Sequence, residues 1–224
     1  MRSALLIHGG GGGGWEWNRW CGVLAAHGLQ VEAPDLQPAP AGLRATAFDH
    51  YLAQVRAALQ ALPQPRALVG ASLGGLLAAL AADAADALVL VNPLPPAPWH
   101  AALPERPWPD VVPWRRDARL ASTRRAMPEA DDATALYAFR RWRDESGAVL
   151  RTARAGVAVA KPCCPVLCIV SEQDEDVPAS ATLALAGAWA TDLIRLPSAG
   201  HMAPLLGREA GDVARQAAAW LSAR

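Results

Sequence analysis

The chain has one lysine, two tyrosines, two phenylalanines, four cysteines and no excess of either charge. Each shortage excludes something. With 21 basic residues against 21 acidic ones, the formal net charge is +0, which argues against a whole-protein electrostatic grip on nucleic acid or an anionic membrane. Four cysteines in 224 residues are too few for a disulfide scaffold. Cys163-Cys164-Pro165-Val166-Leu167-Cys168 has neither CxxC spacing nor a His/Cys pair to hold a metal, and its cysteines read as small hydrophobes entering a strand. The uncharged, strongly apolar stretch Ala67–Ala82 is 16 residues, short of the roughly 20 that cross a bilayer. Met1-Arg2-Ser3 and the brief run to Ile7 make no secretory leader. The expectation is a soluble, cytoplasmic protein that acts on a small molecule, with no metal, no cofactor, no nucleic-acid partner and no membrane partner.

What is present is globular. Hydrophobic residues make up 52% of the chain, although 50 of them are alanine. At roughly 150 residues per domain, one domain is the first expectation. Tryptophan supplies nine of the 13 aromatics, an unusual ratio.

Short apolar runs alternate with helical stretches. Strands are expected at Leu5–Ile7, Gln30–Ala33, Ala67–Val69, Ala87–Val91, Val166–Val170 and Leu193–Leu196. Helices are expected at Trp20–His27, Asp49–Leu62, Leu73–Ala82, Thr182–Trp189 and Arg208–Ser222. Strands apolar on both faces and separated by helices imply a parallel sheet covered on both sides. About six strands fit. One segment breaks this rhythm: eight prolines fall between Pro93 and Pro113, so regular structure is not expected there. Beyond them, Leu136, Phe139 and Trp142 stand at helical spacing and suggest one helix over Asp132–Thr152. Residues 99–154 hold 11 arginines against eight acids and four of the nine tryptophans. An ordered excursion of this length reads as a lid over 95–154, with 1–94 and 155–224 as the core.

Gly70-Ala71-Ser72-Leu73-Gly74 is G-x-S-x-G between a strand and a helix. Such a turn exposes the serine hydroxyl at the strand's end, beside the free N–H groups of the helix start. A hydroxyl needs a base to take its proton, and the base needs an acid to fix its tautomer. After the strand at Val166–Val170 comes a carboxylate cluster: Glu172, Asp174, Glu175 and Asp176. After the strand at Leu193–Leu196 comes Gly200-His201. In a parallel sheet, all three groups lie at one edge, where ligands bind. The six glycines Gly9–Gly14 are not a phosphate loop, because no Lys-Ser/Thr follows them. Dinucleotide binding is disfavoured too, since G-x-G-x-x-G inside polyglycine is trivial.

The serine–acid–histidine order, His8-Gly9 after the first strand, Ala33-Pro34-Asp35-Leu36 after the second, Gly70–Gly75, Asp174–Pro178 and Gly200-His201 together resemble the α/β-hydrolase family in its compact, lid-bearing form. The resemblance covers everything but the lid, and the two leading antiparallel strands of larger members are missing. It implies an α/β fold with Ser72 as nucleophile, Asp174 as orienting acid (Asp176 the rival) and His201 as general base. It also implies Leu73 and Gly10 as backbone oxyanion donors, with Gly11 an alternative to Gly10, and His8 as a structural histidine. Trp15, Trp99, His100 and Trp142 are candidates for substrate contact. The implied activity is hydrolysis of a carboxylic ester or thioester through an acyl-enzyme. The same residues could instead serve C–C hydrolysis, perhydrolysis, lyase or cyclase chemistry, or a non-catalytic binding protein. The lid's positive excess, at residues such as Arg115 and Arg116, would favour an anionic substrate.

Overall fold

The computed structural model describes residues 1–224. Eight strands occur in chain order: β1 Ser3–Ile7, β2 Gln30–Glu32, β3 Arg66–Ala71, β4 Ala87–Val91, β5 Val111–Val112, β6 Glu145–Ser146, β7 Val166–Ser171 and β8 Asp192–Leu196. Six of them form one sheet in the order β2-β1-β3-β4-β7-β8, every pair parallel. The expected fold class and strand count therefore hold. Each expected strand lies within a residue or two of its observed bounds.

Alternation along the strands sorts their side chains onto two faces. Leu5, Ile7, Leu68, Leu88 and Leu90 enter one apolar cluster with the helices α2 Phe48–Ala61, α3 Leu73–Ala81 and α7 Ala179–Trp189. Ala4, Leu6, Val69, Val89 and Ile169 enter the other, with α1 Asn18–Ala26 and α9 Ala210–Ser222. Burial on both faces explains why β1, β3, β4 and β7 contain almost nothing but apolar residues.

The segment between β4 and β7 departs from expectation in one respect. Asp132–Thr152 is not one helix. Helix α5 is Asp132–Phe139, the chain then runs irregularly through Asp144, and α6 begins only at Gly147 and continues to Ala155. Between them β6 pairs antiparallel with β5. The break has a tertiary cause: Glu145 leaves the helical path to fill a buried polar site described below. A further short helix, α4 Leu120–Ala126, precedes α5. α6 packs Val149, Leu150 and Ala153 into the same cluster as α2 and α3, so the segment is fastened to the core. No helix of the molecule is long and apolar enough to cross a membrane.

Candidate active site

The turn from β3 into α3 is built by close approach. A Cβ on Gly74 would lie 2.2 Å from the Ile7 carbonyl oxygen, and one on Gly70 2.3 Å from the Gly74 oxygen. Only glycine fits at either position. Ser72, between them, is a non-glycine residue with φ +52°. That conformation costs on the order of 1–3 kcal/mol, and it turns the side chain up into a cavity of about 490 Å³. The N–H of Leu73, the first residue of α3, is among the donors that an α-helix leaves unpaired at its start.

The acid loop follows β7. Asp174 Oδ1 accepts hydrogen bonds from the N–H groups of Asp176 and Val177, each at 2.8 Å, which fixes the carboxylate. Its Oδ2 lies 2.7 Å from His201 Nδ1. The Asp174 side chain is 1% exposed and that of His201 12%. Asp176 also lines the cavity but is 46% exposed and paired with Arg106 at 2.7 Å. Glu172 pairs with Arg195 instead. Of the four carboxylates in the cluster, Asp174 is the one in contact with the histidine. Burial disfavours the His201 imidazolium, but the hydrogen bond and charge of Asp174, with Asp176 adding to them, outweigh it and raise the pKa above the ordinary imidazole value. His201 shares the cavity lining with Ser72.

Six consecutive glycines carry no side chains to hold them, so their order comes from groups elsewhere. Glu16 accepts the Gly9 N–H at 3.3 Å, Glu145 the Gly11 N–H at 3.0 Å, and Asp35 the Gly14 N–H at 2.7 Å. The Gly11 carbonyl accepts from Arg143 N–H at 2.8 Å. Glu145 also receives the Tyr51 hydroxyl at 2.8 Å. With the Gly11 amide committed to Glu145, Gly10 is the residue of the two whose amide is free, and Gly10 lines the cavity. Below the loop, His8 Nε2 accepts the Leu36 N–H at 2.9 Å, so Nδ1 carries the ring proton toward the Gly9 carbonyl oxygen, 2.7 Å away. Burial lowers the His8 pKa to about 4. A neutral ring braced between two backbone groups is a structural histidine.

The four expected substrate-contact residues separate. Trp142 lines the cavity, its indole N–H donating to Thr123 Oγ1 at 3.0 Å. Trp15 lies behind it, edge-on at 5.3 Å, and borders a second, smaller cavity. Trp99 packs edge-on against Trp189 at 6.2 Å, outside the cavity lining. His100 sits over Gly156, where a Cβ would meet its ring at 2.6 Å, and is likewise outside the lining. In their place Trp108 and Trp114, edge-on to each other at 5.7 Å, supply aromatic wall. Arg115 and Arg116 do not reach the cavity. Arg106 does, but its guanidinium is paired with Asp176, and Arg154 spends its donors on the carbonyls of His100, Leu103 and Pro104. Arg119 is a third lining arginine, so the wall carries one unpaired guanidinium rather than a concentrated positive patch.

Two residues that the motifs did not single out also position the site. Asn92, after β4 and with φ +41°, donates to Ser171 Oγ and to the His201 carbonyl, each at 2.9 Å, and accepts from Ser171 N–H at 2.8 Å. Glu129 accepts the Gly200 N–H at 2.6 Å. The sequence signal for Asn92 was its place directly after an all-apolar strand. Asn92→Ala removes three hydrogen bonds, two of them buried, and is expected to lower stability by about 1–3 kcal/mol. Chemical denaturation of the two proteins checks this.

The model of an alpha/beta hydrolase family matches residues 4–216. No curated protein matches the chain in sequence. Among solved structures, a pyrethroid hydrolase from Sphingobium faniae is similar at 20% identity and a TM-score of 0.72, covering 99% of this chain and 96% of its own. A methylesterase from Arabidopsis is 17% identical with a TM-score of 0.74, covering 100% and 98%. Tomato methylketone synthase I, complexed with β-ketoheptanoate, is 15% identical with a TM-score of 0.76, covering 100% of both chains. At such identities the likeness is one of fold.

Proposed function

The chain belongs to the alpha/beta hydrolase family, and from that premise we propose that it is a serine hydrolase cleaving a carboxylic ester or thioester. The observation that carries the reading is the convergence of Ser72 and the Asp174–His201 pair on one cavity beside the free Gly10 and Leu73 amides. Ser72 Oγ attacks the acyl carbonyl carbon while His201 Nε2 takes its proton. The carbonyl electron pair moves onto oxygen, and that oxyanion is held by the Leu73 and Gly10 N–H groups, a type of contact worth about 10²–10³ in rate for each donor. The tetrahedral intermediate collapses, the bond to the alcohol or thiol breaks, and His201 returns the proton to the leaving group. Water activated by the same histidine then frees the acid and restores Ser72. In this reading residues 95–154 act as the lid, walling the cavity with Trp108, Trp114 and Trp142. Such a wall suits a substrate with an apolar body. Two solved neighbours are named as a pyrethroid hydrolase and a methylesterase, names that agree with a hydrolase and, for the second, with an ester substrate.

The test is covalent labelling with a fluorophosphonate probe. Wild-type protein is expected to be labelled and Ser72→Ala not. An unlabelled wild type, or equal labelling of both, would overturn the proposal.

The pH dependence follows from His201. The base must be neutral to accept a proton, so activity is lost as pH falls through the histidine pKa. Because Asp174 holds that pKa up, the acid limb of kcat/KM is expected to inflect above the ordinary value of about 6.5. A profile with its midpoint at or below that value would contradict the assignment.

A further inference from the structure

Glu16 is a buried carboxyl for which the ester-hydrolysis scheme has no task. Its residue is 2% exposed, yet it lines the same cavity as Ser72 and His201. Gly9 stands between it and the serine. The Gly9 N–H donates to Glu16 Oε2 at 3.3 Å, and a Cβ on Gly9 would lie 3.2 Å from Ser72 Cβ. The glycine run makes room for this carboxyl: a Cβ on Gly12 would fall 1.8 Å from Oε1 and 2.5 Å from the carboxyl carbon. One oxygen is thus satisfied by the loop. Oε1 has no hydrogen-bond partner in the protein. Oε1 is not one of the fully buried, unpartnered polar atoms of the molecule, so it keeps an opening onto a cavity, and Glu16 borders both the cavity of Ser72 and the smaller one beside Trp15. The group that completes Oε1 on binding is then a cavity occupant.

We propose that Glu16 is a specificity residue of this site, presenting a hydrogen-bond donor from Oε1 to an acceptor oxygen on the acyl part of the ester, close to the scissile carbonyl. The inference rests on the serine-hydrolase reading above. Burial raises the Glu16 pKa to about 8, against the Gly9 N–H and the positive charges of His201 and Arg143, which lower it, and with Asp35, which adds to the rise. The group is therefore a neutral acid at pH 7. Since Oε2 accepts the Gly9 N–H, the proton belongs on Oε1, the oxygen left free. A site built to donate one hydrogen bond discriminates against a substrate lacking the acceptor, because its own polar group is then stranded. The favoured class is an ester whose acyl chain carries an ether, keto or hydroxyl oxygen next to the reacting carbonyl, in place of a plain alkyl chain.

The experiment compares p-nitrophenyl 2-methoxyacetate with p-nitrophenyl butanoate, which differ by one oxygen in place of a methylene. The readout is the ratio of their kcat/KM values in wild type, Glu16→Met and Glu16→Gln. Taking the ratio within each protein, and comparing it between proteins, cancels the intrinsic reactivity of the two esters. At pH 7 the wild-type ratio is expected to exceed that of Glu16→Met by about tenfold. Glu16→Gln, which keeps a donor, is expected to retain the preference. As pH rises through about 8 the wild-type ratio should fall while that of Glu16→Gln stays flat. Equal ratios in wild type and Glu16→Met, or a wild-type ratio independent of pH, would overturn the proposal. The two readings fail separately: a fluorophosphonate-labelled enzyme with unchanged ratios removes Glu16 and leaves the serine hydrolase. If the serine is not labelled, difference infrared spectra of wild type and Glu16→Gln at pH 7 decide, and the lack of a protonated-carboxyl band assigned to Glu16 overturns the proposal on its own.

Discussion

Ser72→Ala is expected to lower kcat by about 10⁵–10⁶-fold while leaving the fold intact, an effect of the size seen when the nucleophile of a serine triad is removed. What remains would come from the oxyanion amides and from binding, neither of which the substitution touches. Stability gives an independent check. Ser72 holds φ +52°, a backbone setting in which any Cβ is crowded, so alanine keeps the strain that serine carries. Glycine does not, and Ser72→Gly is expected to be more stable than wild type by about 1 kcal/mol while being as inactive as Ser72→Ala. A serine held in a strained turn by two glycines that tolerate no side chain costs stability and gives back none in packing. Activity gained against stability lost is the pattern of a working nucleophile. Retention of a tenth of wild-type kcat in Ser72→Ala, measured on any ester that the wild type turns over, would sink the assignment.

The sequence was readable where one local rule decided the structure. The strands β1, β3, β4 and β7 are short apolar runs bounded by glycine, proline or charge, and their periodicity needs no knowledge of distant residues. The turn at Gly70–Gly74 and the loops bearing Asp174 and His201 stand directly after such strands, so a parallel sheet brings them to one edge. The segment 95–154 obeyed no such rule. Leu136, Phe139 and Trp142 share helical spacing, yet the helix stops at Phe139 because Glu145 is drawn to the Gly11 amide and the Tyr51 hydroxyl. Those partners lie 134 and 94 residues away. The same limit explains the tryptophans. Trp15 and Trp142 touch, but only the fold decides which of them faces the cavity. Glu16, between two tryptophans, gave no signal at all, since the glycines that receive its carboxyl read as a flexible loop until their partners are placed.

Asp174→Asn is expected to reduce kcat about 10⁴-fold, and Asp176→Asn by less than tenfold. The family resemblance favours Asp174, three residues ahead of Val177-Pro178, but the sequence alone cannot exclude its neighbour Asp176. Their surroundings separate them. The Asp174 carboxylate is fixed by two backbone N–H groups and meets His201 Nδ1 at 2.7 Å, whereas Asp176 holds Arg106 at the surface. An amide at 174 is close to the same shape. It can turn its N–H₂ toward the imidazole, which then settles with its proton on Nε2, the nitrogen that must be bare to accept the proton of Ser72. The loss is one of tautomer rather than of geometry, and a loss of about 10⁴ in kcat is characteristic of it. The pH profile separates this from simple unfolding. Without the Asp174 charge the support that raises the His201 pKa disappears, burial is left to lower it, and the residual activity of Asp174→Asn should have its acid limb at lower pH than wild type. For Asp176→Asn the limb should move in the same direction but much less, because Asp176 is the lesser contributor to the same shift. If the large loss in kcat and the large displacement of the limb both appeared in Asp176→Asn, the orienting acid would be Asp176.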